Sequence, residues 1–139
     1  MAVKPGIYAA SMSVFNEDLS LNIDNTIGHA ERIIKEGCHG VVIFGSTGQA
    51  QLISSSEKKK LIEKLSNNKL KGHFIIGTGD NSLNGNIDII KHCLSGGINR
   101  FLMMPPAYYS GKKGYGDEGA YAFFSNIIQK IQEVEIVVY

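Results

Sequence analysis

Five short apolar runs recur along the chain, at Gly6–Ala10, Gly40–Phe44, His73–Gly77, Phe101–Met104 and Glu135–Tyr139. They start about every 30 residues, the length of one strand-plus-helix unit. Each run is nearly continuous in apolar residues, as expected of a strand buried on both faces of a parallel sheet. A chain with this period is restricted to parallel strands joined by right-handed crossovers.

The segments between the runs carry helical patterns. Ile23, Ile27, Ala30, Ile33 and Ile34 share one face, with Glu31, Arg32 and Lys35 opposite and Gly37 as a stop signal. The stretch SSSEKKKLIEKLSNN opens on capping serines and carries Leu61, Ile62 and Leu65. Its Lys58-Lys59-Lys60 run reads as the solvated face of that helix. A third segment places Leu83, Ile87, Ile90 and Leu94 at helical spacing and ends at Gly96-Gly97. A fourth opens at Asp117 and spaces Tyr121, Phe124, Ile127, Ile128 and Ile131 in the same way.

Open doubly wound sheets and closed (β/α)8 barrels both begin with this alternation. A barrel takes about 250 residues, and this chain has 139. The expected architecture is therefore α/β, with alternating βα units forming the first half, about β1 to β5, of a TIM (β/α)8 barrel. Residues 1–139 are expected to form a single partial barrel domain, truncated after the fifth strand.

Net charge +1 gives no electrostatic reason to expect nucleic acid or an acidic membrane as partner. No apolar run approaches the roughly 20 residues of a membrane span, and the apolar stretch of MAVKPGIYAAS is too short for a signal peptide. Two cysteines, Cys38 and Cys93, form no dense framework and point to a reducing cytoplasm.

Parallel α/β folds gather ligands beyond the carboxyl ends of their strands. That rule selects Ser11–Ser13, Ser46-Thr47, Thr78-Gly79-Asp80, Pro106–Tyr109 and Tyr139, a hydroxyl-rich rim suited to a small carboxylate or carbonyl compound. Ser46, Thr47 and Gly48 offer two hydroxyls and several backbone N–H groups to an anion. They also read as a turn whose hydroxyls satisfy local amides. Tyr108, Tyr109 and Tyr139 supply phenols that can relay protons, or simply pack at a rim with the OH satisfied.

Two further patterns carry less. GYGDEG at Gly114–Gly119 matches G-x-G-x-x-G, but no strand leads directly into it, as a dinucleotide site requires. Cys38-His39 and His92-Cys93 hint at zinc, yet adjacent residues point in different directions and both pairs sit at the opposite rim. Neither metal nor organic cofactor is called for.

The chain resembles the N-terminal half of the dihydrodipicolinate synthase / N-acetylneuraminate lyase family of pyruvate-handling aldolases. The resemblance rests on GVVIFGSTGQAQLISSSEKKKLIE, IIGTGDNS, FLMMPPAYYSG with DEGAYAFF, and IVVY, in the family's order across nearly the whole chain. It implies a (β/α)8 barrel, commonly a homotetramer of tight dimers. It also implies a Schiff base between a lysine and the ketone of pyruvate or another 2-oxo acid. Ser46, Thr47 and Gly48 would hold the substrate carboxylate, with the Ser46 hydroxyl in a proton relay. Tyr108 would be the relay tyrosine donated across the dimer interface. Tyr139 would shuttle the proton during carbinolamine formation and release.

Gln49 stands where the family usually has Glu, Ser13-Val14 where it often has Thr-Pro, and GKKGYG lengthens the loop after Tyr109. The LMMPPAYY loop is as similar to members acting on sugar-derived 2-oxo acids as to the synthase. The imine-forming lysine belongs on a sixth strand; Lys35, Lys64 and Lys91 read as helical and solvated. The chain alone is expected to be inactive for that reason. Two other readings remain: a non-catalytic half-barrel module that binds a small carboxylate or oligomerises, and an open flavodoxin-like binding domain.

Overall fold

Every apolar run becomes a strand in the computed structural model, which describes residues 3–107 and 117–139. The strands are β1 (Tyr8–Ala10), β2 (Gly40–Ile43), β3 (Phe74–Gly77), β4 (Arg100–Met103) and β5 (Glu135–Val138). Between them lie α1 (Ile23–Lys35), α2 (Ser55–Ser66), α3 (Leu83–Ser95) and α4 (Asp117–Ile128).

The helices start where side chains can serve their free N–H groups. Asn22, Ser54 and Ser82 each accept from an amide in the first turn of α1, α2 and α3. Ser54 and Glu57 form a reciprocal capping box on α2. Gly37, past the end of α1, has φ 111°, where an L side chain would be strained.

All five strands run parallel in the spatial order β1-β2-β3-β4-β5. Each crossover thus delivers the chain to the next position on the same side. A doubly wound sheet reverses its order at a switch point; this sheet has no reversal among its five strands, which excludes the flavodoxin-like alternative.

Strand alternation divides the sheet into two faces. Val41, Ile43, Phe74, Ile76, Phe101 and Met103 are buried against Leu61, Ile62, Leu65, Ile90, Cys93 and Ile127 of the helices. Apart from Cys93, each of these side chains contributes about 1.5–3 kcal/mol of transfer free energy. On the other face, Arg100 and Glu135 are register partners and pair at 3.0 Å.

The fourth helix forms over Asp117–Ile128 as its spacing predicts, with Ile131 past its end. Tyr121 and Ile128 of α4 are 75% and 44% exposed, and Ile127 is the buried residue of that helix. Among the described residues α4 packs beside α3, and β5 is the last strand of the sheet. Among the described residues, no helix is long and apolar enough to cross a membrane.

Candidate active site

The turn after β2 is built on strained backbone. Phe44 is fully buried yet has φ 61°, and Gln49 has φ 53°. A bulky residue in the left-handed region is an outlier that persists only where its surroundings over-determine it. Those surroundings are close. A Cβ on Gly77 would lie 2.0 Å from the Phe44 carbonyl oxygen, so β3 presses directly on this backbone. A Cβ on Gly48 would lie 3.0 Å from the Ser11 carbonyl and 3.1 Å from the Phe44 nitrogen. Gly48 thereby lets the turn fold back onto the ends of β1 and β2.

Three hydrogen bonds close the turn. Gln49 N–H donates to Ser46 O at 3.0 Å, Ala50 N–H to Gly45 O at 3.3 Å, and Ser13 Oγ to Gly48 O at 2.6 Å. Ser46 and Thr47 protrude at the rim, exposed. Among the described residues neither hydroxyl is committed to a hydrogen bond, so the hydroxyls do not serve the turn itself. Beside them a crevice of about 260 Å³ is lined by Ser46, Gln49, Ala50, Gln51, Leu52 and Met104.

The other rim residues divide. Tyr139 continues the ladder past β5 through its N–H to Met103 O at 2.9 Å, and its side chain is 75% exposed. It stands on the same rim as Ser46, with β3 and β4 between them. Ser11 and Thr78 are buried, and Thr78 Oγ1 has no hydrogen-bond partner among the described residues. Tyr108 and Tyr109 lie outside the described residues, as do Gly114–Gly116 of GYGDEG.

The lysine run is where sequence reading failed. Lys58 is 3% exposed, not solvated, and its Nζ donates to Gly79 O at 3.2 Å and Thr78 O at 3.4 Å. Burial pulls its pKa down from the ordinary 10.5, and the charge of Asp80 partly restores it. The missed signal was positional: Lys58 precedes Leu61, Ile62 and Leu65 by three, four and seven residues, which is the buried stripe of α2. Lys59 pairs with Asp88 of α3, and Lys60 is exposed. Cys38-His39 stands just before β2, whereas Cys93 is in the core and His92 faces Glu63 of α2.

The comparisons with known proteins agree with this architecture. The family model described as "Dihydrodipicolinate synthetase family" matches residues 4–139. An L-threo-3-deoxy-hexylosonate aldolase of Aspergillus niger is 30% identical over 90% of this chain and 39% of its own length. The crystal structure of a dihydrodipicolinate synthase from Agrobacterium tumefaciens superposes with TM-score 0.85 at 29% identity, over 98% of this chain and 47% of that one. YagE of E. coli K12, described as a prophage protein of the dihydrodipicolinic acid synthase family in complex with pyruvate, superposes with TM-score 0.83 at 19% identity, which shows the shared fold. It is covered to 45% by 99% of this chain. The chain thus spans less than half the length of these relatives, and its parallel sheet with alternating helices matches the N-terminal half of their TIM barrels. By sequence and by fold, the chain belongs to the dihydrodipicolinate synthetase family.

Proposed function

We propose that this chain is the N-terminal part of a lysine-dependent aldolase or synthase acting on pyruvate or another 2-oxo acid. The observation that carries the reading is the Ser46–Gly48 turn. It presents at the carboxyl rim two hydroxyls that make no hydrogen bond among the described residues, on a left-handed backbone packed closely against β3. Such a turn can hold a carboxylate with hydroxyl donors, and a fixed carboxylate brings the adjacent ketone to reacting distance of an amine.

Imine formation asks for specific proton movements. The amine attacks in its neutral form, the carbinolamine oxygen must be protonated to leave as water, and the reverse path returns that proton. Tyr139 is assigned the shuttle because its phenol stands exposed on the same rim. Ser46 and Tyr108 are assigned the relay that supplies it, with Tyr108 reaching the site from a second subunit of a dimer of dimers. The imine-forming lysine is assigned to a sixth strand. No metal or organic cofactor enters this scheme. The family membership and the pyruvate carried by YagE support the 2-oxo acid class. The Aspergillus aldolase supports a sugar-derived 2-oxo acid as one member of that class.

Borohydride reduction in the presence of pyruvate tests the assignment. The 139-residue chain gains no adduct, whereas a gene product extended through the next strand does, as read by intact mass. A stable adduct on the short chain, or none on the extended product, overturns it. A second reading, a non-catalytic module that oligomerises, is favoured by Ile7, Met12 and Val138, exposed at the two sheet edges at 68%, 57% and 55%. A defined oligomer of this chain in sedimentation, together with failed trapping by the extended product, selects it.

A further inference from the structure

Resting on the reading of Ser46–Gly48 as a carboxylate cradle, we infer that Lys58 is a positioning residue for that cradle. It acts from the helix layer through the end of β3.

Lys58 occupies a core position of α2, in line with Leu61, Ile62 and Leu65, which are 0–1% exposed. An apolar side chain there would cost nothing in desolvation, whereas a buried ammonium is expensive unless it is well partnered. Its partners are backbone carbonyls. Nζ donates to Gly79 O and Thr78 O, the two carbonyls that follow β3. Among the described residues no backbone N–H donates to either oxygen, so Lys58 is what satisfies them. Asp80, in the same turn, adds a favourable charge. Room for that carboxylate depends on Gly85, where a Cβ would lie 2.3 Å from Asp80 Oδ2.

The segment held by Lys58 is the one that supports the cradle. Gly77 abuts the Phe44 carbonyl and the Gly45 nitrogen, with Cβ positions at 2.0 and 2.9 Å. Gly79, at φ +56°, abuts the Ala50 side chain, with a Cβ position at 2.4 Å. Phe44, Gly45 and Ala50 bracket Ser46–Gln49 on both sides. The order of contact is therefore Lys58 Nζ, the Thr78 and Gly79 carbonyls, the Gly77–Gly79 backbone, and the two ends of the cradle turn. Lys58 touches no substrate in this arrangement. It sets where the β3 end stands, and the β3 end sets the turn.

Amide exchange and pyruvate titration of the 139-residue chain, followed residue by residue by NMR, test the role. In Lys58→Met, the Gln49 and Ala50 amides exchange about tenfold faster, as befits loss of a charge-assisted hydrogen bond. The Ile90 amide in α3 stays within about twofold. The pyruvate concentration that half-saturates the Thr47 and Gly48 shifts rises by about fivefold or more. Lys58→Arg, which keeps a cation for the same carbonyls, stays closer to wild type in both readouts. Unchanged exchange at Gln49 and Ala50, or an equal acceleration at Ile90, overturns the inference. If Lys58→Met does not fold, Lys58→Gln takes its place, and the inference then requires a larger local effect in Lys58→Gln than in Lys58→Arg. A wild-type chain whose Thr47 and Gly48 amides ignore pyruvate overturns the cradle reading itself, while the exchange comparison still decides whether Lys58 positions the turn.

Discussion

The Ser13 hydroxyl donates to the Gly48 carbonyl at 2.6 Å and so ties the loop after β1 to the turn after β2 across 35 residues of sequence. The Ser13 hydroxyl is what engages the turn. Ser13→Ala leaves the Gly48 carbonyl without that donor, at a cost of about 1 kcal/mol. The expected outcome is a correspondingly lower midpoint in urea, with faster amide exchange confined to residues 46–50.

Gly77 allows β3 to lie directly on the Phe44–Gly45 backbone. In Gly77→Ala the new methyl meets a carbonyl oxygen 2.0 Å away, and backbone cannot yield as a flexible side chain can. Overpacking costs about 1–3 kcal/mol, and a clash with backbone stands at the upper end of that range. The variant is expected to unfold at far lower denaturant than Gly72→Ala, whose Cβ meets nothing within 4 Å. Equal stability of the two variants would show that the turn is not seated on β3.

Glu57 accepts from the Ser54 hydroxyl and from Leu21 N–H, and these bonds hold its carboxyl below the ordinary 4.5. A lowered carboxylate pKa contributes stability that is present above 4.5 and lost as pH falls through the folded value. Melting curves from about pH 6 to about pH 3 should therefore fall more steeply for wild type than for Glu57→Gln. At neutral pH, Ser54→Ala costs about 1 kcal/mol through loss of the cap.

Burial pushes the Cys93 thiol up to about 12. Cys38 is half-buried and lies outside the core. Ellman's reagent near pH 8 is expected to titrate one thiol, Cys38, in the folded chain and the second only after denaturation. Rapid reaction of Cys93 in the native protein would contradict its place between α3 and the sheet.

The fold was legible because its signals are local and repeated. Apolar runs at the period of one strand-plus-helix unit, serines at helix starts and Gly37 after α1 each specify an element from its own residues, and the structure adds only the spatial order of the strands. The Ser46–Gly48 turn could be placed at a rim for the same reason, since it follows a buried strand. Its left-handed backbone could not be seen, because Phe44, at φ 61°, packs closely against Gly77, thirty-three residues away.

Lys58 marks the boundary most clearly. Its spacing from Leu61, Ile62 and Leu65 put it on the buried stripe, but a lysine in a charged run is ordinarily solvated. Burial became tolerable only when β3 brought two carbonyls, and its turn Asp80, to the ammonium. Sequence alone determined the elements, their order and the family. Tertiary structure decided which polar groups are buried and which backbone is strained, because both depend on neighbours that are distant along the chain.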